Sequence, residues 1–153
     1  LVALHPFATH AAKTWPTDRW LRLAALLEQE NIDYFWVGQG EGFPAQESSR
    51  SFVNDTGLRE LFALIHEADV LITGDSGPMH IATAVDTPVL AMFGPTCREW
   101  GFFPSGERDR VLQLPMACRP CSLHGADACS RNFACITGIE PDLVLAELKS
   151  MLR

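Results

Sequence analysis

The stretch "DVLITGDSGPMHIATAVDTPVLAMFG" (69–94) decides how this chain folds. Its opening run, "DVLIT", is apolar and branched and ends in a short glycine turn, "GDSG". "GPMHIATAV" then reads as a short helix, and "PVLAMFG" (88–94) is a second apolar run. Strand, turn, helix, strand is the unit of a parallel sheet wound by right-handed crossovers. Neither strand alternates polar with apolar residues, the pattern of strands covered by helices on both faces.

The same alternation extends outward in both directions. "LVALH" (1–5) reads as a buried strand stopped by Pro6, and the polar loop "PFATHAAKTWP" leaves it. Trp20, Leu23, Ala24 and Leu27 recur at helical spacing, with Thr17 placed to cap that helix. "DYFWVG" (33–38) is a strand and "QGEGFPAQESSRS" (39–51) a loop. "FVNDT" is predicted as a short strand, and Leu58, Leu61, Phe62 and Ile65 form a second helical stripe. Beyond an irregular stretch come "RVLQL" and a cysteine-rich segment. A last helix begins near Pro141 and carries Val144, Leu148, Met151 and Leu152 on one face. The pattern predicts one Rossmann-like α/β domain over residues 1–153, a parallel sheet of about five or six strands flanked by helices. Trp15, Trp20, Trp36 and Trp100 are expected in core and loop packing.

Composition narrows the function classes. The chain has 153 residues, 47% hydrophobic and 20% charged, enough for one domain with its own core. The formal charge is −7 and no basic cluster exists, which argues against a nucleic-acid partner. No apolar run approaches the ~18 residues of a transmembrane helix. The first residues, "LVALH", carry no Met and no basic leader and open in mid-strand. They read as the start of a piece of a longer protein, cut at a domain boundary.

"GDSG" is one glycine short of a serine-protease motif and nearly fits the G-x-S-x-G elbow of α/β-hydrolases. The protease needs an all-β fold, and the elbow needs glycine where this chain has Pro78. Asp86 or Asp109 followed by His124 satisfies the hydrolase order only loosely. Ser76 is therefore not read as a nucleophile. The turn sits where a strand ends and a helix begins, the edge at which open α/β sheets bind ligands. Unpaired N–H groups and the helix dipole favour an anion there. Gly74 and Gly77 allow close backbone approach, Ser76 offers a hydroxyl, and Pro78 suits a first helical turn. Asp75 is expected to accept bonds from sugar hydroxyls or local N–H groups, since a carboxylate repels phosphate. The exit loop of the first strand adds Thr9, His10 and Lys13 on the same rim, which makes a diphosphate clamp.

With both loops in view, the chain resembles glycosyltransferase family 9, the ADP-heptose:lipopolysaccharide heptosyltransferases. The matching residues are His5, Pro6, Lys13, Trp15 and Pro16, then the long run from Leu58 to Thr96. The resemblance implies the C-terminal, donor-binding half of a GT-B enzyme. It places Lys13, as the catalytic cation, and Thr9 at the donor diphosphate. Asp75, Ser76, Gly77 and Pro78 fall on the turn that holds phosphate and sugar, with His80 on the same rim. Glu41 falls near the ribose and Thr56 near the base, although the spacing around Glu41 departs from the family pattern. It further implies ADP-heptose as donor, inversion by direct displacement with no metal or cofactor, and a lipopolysaccharide-core acceptor. That acceptor and the general base belong to an N-terminal domain outside these residues, so the chain alone is expected to be inactive. The location implied is cytoplasmic, at the inner face of the bacterial inner membrane. The rival reading is a stand-alone nucleotide- or sugar-phosphate-binding module without catalysis.

Cys118, Cys121, Cys129 and Cys135 are spaced C-x2-C-x7-C-x5-C. One CxxC with two further thiols fits tetrahedral zinc, with His124 in reserve, but the second half lacks the tight spacing of common zinc modules. Reduced thiols, and disulfides formed after purification, are the other open readings. Cys97 stands apart from this group.

Overall fold

The structure is a computed structural model that describes residues 1–45, 48–121 and 128–153. Five strands form one parallel sheet in the order β2-β1-β3-β4-β5. These are β1 (Val2–His5), β2 (Tyr34–Trp36), β3 (Val70–Gly74), β4 (Val89–Met92) and β5 (Arg110–Leu112). The helices are α1 (Thr17–Gln29), α2 (Leu58–His66), α3 (Gly77–Ala84), the single turn α4 (Ala134–Thr137) and α5 (Pro141–Met151). No helix among the described residues is long and apolar enough to cross a membrane.

Side chains alternate across the sheet and fill two cores. Leu4, Ile72 and Leu90 face α1 and α5, meeting Trp20, Leu23, Leu27, Val144 and Leu148. Ala3, Leu71 and Val89 face the other way, toward Ile65 of α2 with Met79 and Ala82 of α3. Trp15, Trp20, Trp36 and Phe43 form a run of edge-to-face rings in the first core, with centroids 4.8–6.2 Å apart. Such contacts add to what burial of the rings alone supplies.

The chain leaves β1 toward one side of the sheet and returns across it to enter β3. At the carboxyl ends of β1 and β3 the exit loops therefore turn to opposite faces. This is the topological switch point, where a crevice opens in sheets of this order.

Three local expectations are corrected. Residues 52–56 do not form a strand. A single bridge joins Trp36 to Ser51, and the chain then turns at Asn54, whose φ is +60°. Pro16 takes the cap position before α1, so Thr17 is the first helical residue and caps nothing. In the α2 stripe only Ile65 is buried, while Leu58 is 67% exposed. Leu61 and Phe62 are half-buried and wall a cleft, with Leu61 also packed against the second core.

Candidate functional site

The site is built on the ends of two paired strands. His5, the last residue of β1, lies in register with Thr73 of β3. Its imidazole is 5% exposed, and Nδ1 lies 3.0 Å from the Thr73 hydroxyl and 3.3 Å from that of Ser76. The two hydroxyls are 2.9 Å apart. Burial pulls the His5 imidazole down to about 4, so the ring is neutral at pH 7. Gly38, at φ +120°, passes so close that a Cβ there would come within 2.6 Å of His5 Cδ2. Only glycine fits that crossing.

Ser76 is the N-cap of α3, in extended backbone, yet its side chain makes no cap bond. The hydroxyl bonds instead to Thr73 and the Gly74 carbonyl, which leaves the first N–H groups of the helix without a side-chain cap, with Pro78 in the first turn. Beyond it opens a cleft of about 720 Å³. Thr9 and Phe7 of the β1 loop, Gly38 and Gln39 after β2, and Thr56 line it together with Ser76, Gly77 and Pro78. Its apolar wall is Leu58, Leu61, Phe62 and Ile81. A polar floor at a helix N-terminus beside an apolar slot suits a ligand with an anionic part and a flat or apolar part.

Lys13 does not stand free in that cleft. Its Nζ lies 2.5 Å from Asp75 Oδ2, with the side chains 11% and 7% exposed, and 5.7 Å from the centre of the Phe102 ring. Asp75 thus has a cation for a partner, a pairing the sequence reading did not include. Its charge is cancelled before any phosphate arrives. Thr96, fully buried, donates weakly to the same oxygen at 3.5 Å. The short 3-10 turn Ala11–Lys13 delivers the lysine by packing against the glycines that end β3 and follow β4. A Cβ at Gly94 would meet Ala12 O at 2.7 Å, and one at Gly74 would meet Lys13 O at 3.1 Å. Trp15 fixes the far end of the loop by donating to Ile139 O at 2.9 Å.

The structure therefore gathers Thr9, Thr56, Ser76, Gly77 and Pro78 around one cleft and sets Lys13 with Asp75 beside it. Glu41 is exposed and outside the lining, and so is His80 on the outer face of α3. Sequence reasoning missed Asn54, which exchanges two hydrogen bonds with the backbone of Gly40, at 3.0 and 2.8 Å, and braces the cleft's rim. The N-D-T-G run, a turn signal read as strand, was the available clue. It also missed Thr96 and gave His5 no role in the site.

A hydrolase arrangement is not formed. The hydrogen bonds described for His5 run to hydroxyls, and the carboxylate beside Ser76 is held by Lys13. Asp109 bonds the backbone N–H of Val89 at the opposite edge of the sheet, Asp86 is exposed in the turn before β4, and His124 lies outside the described residues. All five cysteines are free thiols. Cys118, Cys121, Cys129 and Cys135 line one cavity of about 210 Å³, but among the described residues no three His, Cys, Asp or Glu side chains form a metal-ligand group.

A parallel sheet with a ligand crevice at its switch point, closed by a helix N-terminus, defines a Rossmann-like binding domain. The sequence profile of glycosyltransferase family 9 (heptosyltransferase) matches residues 1–127. The chain belongs to that family. It is 26% identical to lipooligosaccharide heptosyltransferase 2 of Campylobacter jejuni, over 99% of this chain and 51% of that protein. The structure of E. coli ADP-heptose lps heptosyltransferase II superposes with a TM-score of 0.76 at 25% identity, covering 99% of this chain and 46% of that one. A dodecameric iron-containing heptosyltransferase solved with ADP-D-beta-D-heptose shares the fold, with a TM-score of 0.77 at 20% identity over 99% of this chain and 45% of that one. The chain spans about half the length of these relatives.

Proposed function

We propose that this chain is the donor-binding domain of an inverting, heptosyltransferase-like glycosyltransferase of lipopolysaccharide core synthesis, with a nucleotide-diphosphate sugar as ligand and ADP-heptose as the first choice. The observation that carries the reading is the start of α3, where Ser76 and Gly77 face Thr9 across a cleft at the switch point. The diphosphate lies on the α3 N-terminus, taking the Ser76 hydroxyl and backbone N–H groups. The base lies against Leu58, Leu61 and Phe62, near Thr56. Lys13, steered by Asp75, supplies the positive charge that neutralises the leaving diphosphate. The ligand of the neighbour solved with ADP-heptose supports this class, as does family membership.

The acceptor, a lipopolysaccharide-core sugar, and the general base that deprotonates it belong to the other half of such an enzyme. The work is done at the cytoplasmic face of the inner membrane, and this chain alone transfers nothing. Titration calorimetry with ADP, UDP and GDP, repeated with Lys13→Ala, tests the reading. ADP binds in preference to the other two, and the variant binds at least about tenfold more weakly, the equivalent of ~1.4 kcal/mol. Equal heats for all three nucleotides, or an unaffected variant, would overturn it.

A further inference from the structure

Three polar side chains at the floor of the cleft, His5, Thr73 and Ser76, form a chain that ends on a backbone carbonyl. The steps are His5 Nδ1 to Thr73 Oγ1 at 3.0 Å, Thr73 Oγ1 to Ser76 Oγ at 2.9 Å, and Ser76 Oγ to Gly74 O at 3.3 Å. A carbonyl only accepts, so at the last step Ser76 is the donor. Its one proton is then spent, and Ser76 Oγ must accept from the Thr73 hydroxyl. Thr73 Oγ1 in turn must accept from the ring. All three contacts are hydrogen bonds only if Nδ1 carries the imidazole proton. With the proton on Nε2, Nδ1 accepts a hydroxyl proton and one contact is left without a hydrogen: either the order reverses and the bond to Gly74 O is lost, or nothing lies between Thr73 and Ser76. A neutral imidazole has one N–H, so the choice is binary.

We propose that His5 is a positioning residue: by holding its proton on Nδ1 it orders the Thr73–Ser76 pair so that Ser76 presents a hydroxyl hydrogen, not a lone pair, to an anionic oxygen in the cleft. The assignment rests on the diphosphate reading of the site for its purpose, though not for its geometry. Thr73 is fully buried, and His5 is nearly so. His5 and Ser76 both line the cleft, but Ser76 stands at the start of α3 and caps nothing. The resting bond from Ser76 to Gly74 O is long at 3.3 Å, so turning the hydrogen toward a phosphate oxygen gives up little and gains a charge-assisted bond. The opposite order would aim a lone pair at the anion and repel it. The preference for an acceptor ligand is thus set through Thr73, a side chain outside the cleft lining.

The first test needs no ligand. Nitrogen-15 NMR of histidine-labelled protein at pH 7, with His5 identified by its disappearance in His5→Asn, reads which ring nitrogen is protonated. Nδ1–H is expected, and Nε2–H overturns the proposal even if ADP binds. The second test compares ADP with adenosine. The Asn amide nitrogen can stand where Nδ1 stands, so His5→Asn keeps ADP affinity within about twofold, whereas His5→Leu loses about tenfold. Adenosine affinity is unchanged in both. His5→Leu added to Ser76→Ala costs no more than Ser76→Ala alone, because both remove the same donor. Equal losses in the Asn and Leu variants, or losses that multiply, overturn the proposal. If wild-type protein binds no ADP, the diphosphate reading fails, and the NMR result alone decides the His5 assignment.

Discussion

His5 shows how one buried side chain ties stability to pH. Its ring titrates at about 4 in the fold against 6.5 when exposed, because burial disfavours the charged form. Between those values the unfolded chain binds a proton that the folded chain does not, so stability rises with pH across this window. The contribution is complete above pH 6.5 and is lost as pH falls to about 4, a change of about 3 kcal/mol. Urea midpoints measured from pH 7 to pH 4 fall accordingly in the wild type and fall less in His5→Asn. Lys13 and Asp75 pose the opposite case, two charges buried together at 2.5 Å. Removing one partner strands the other's charge. Lys13→Met alone is expected to cost roughly 3 kcal/mol in urea unfolding, and Lys13→Met with Asp75→Leu less than that. The identity of these residues was open to reading in the sequence, but their pairing was not. Asp75 and Lys13 are far apart in the chain, and only the strand order β1-β3 puts one beside the other.

Among the elements, the 3-10 turn Ala11–Lys13 depends on what lies under it. Gly94 follows β4 and has Ala12 O above it, with Ile136 Cβ and Cys135 Sγ to the side. A methyl group at that position has nowhere to go. Gly94→Ala is expected to destabilise the fold by about 1–3 kcal/mol and to weaken ADP binding by lifting Lys13. Thermal unfolding and calorimetry on that variant check both effects together. Helix α2 carries a different lesson. Its stripe of Leu58, Leu61, Phe62 and Ile65 has the right period for a core-facing helix, and α2 does form (Leu58–His66). Periodicity reports which side is apolar but not what that side touches. Three of the four apolar residues wall a cleft, and only Ile65 is fully buried in the core, with Leu61 packed against it. The segment before α2 misled for a local reason. Apolar Phe52 and Val53 look like strand, but Asn54 takes a left-handed turn and spends its amide on Gly40, which ends pairing after one bridge.

Across the whole molecule, ligand binding and folding are one equilibrium. If the cleft takes ADP, the folded state gains free energy by mass action, about 2.7 kcal/mol at a hundredfold excess over Kd. ADP should therefore raise the thermal midpoint of this chain, and GDP at equal concentration should raise it less. A scan showing no rise at any ADP concentration contradicts the donor-site reading. Much was determined by the sequence alone. Apolar, non-alternating strands separated by helical stripes require a parallel α/β sheet, and "GDSGP" requires a turn feeding a helix. Both follow from local rules, since side-chain period and backbone preference act over a few residues. The tertiary structure decided what those pieces became. It set β1 beside β3, which made a switch-point crevice of two loops. It also neutralised Asp75 with Lys13, left Glu41 and His80 outside the cleft, and tuned Ser76 through a histidine at the end of another strand. Those outcomes depend on burial and on distances between residues remote in the chain, and neither quantity exists until the sheet has closed.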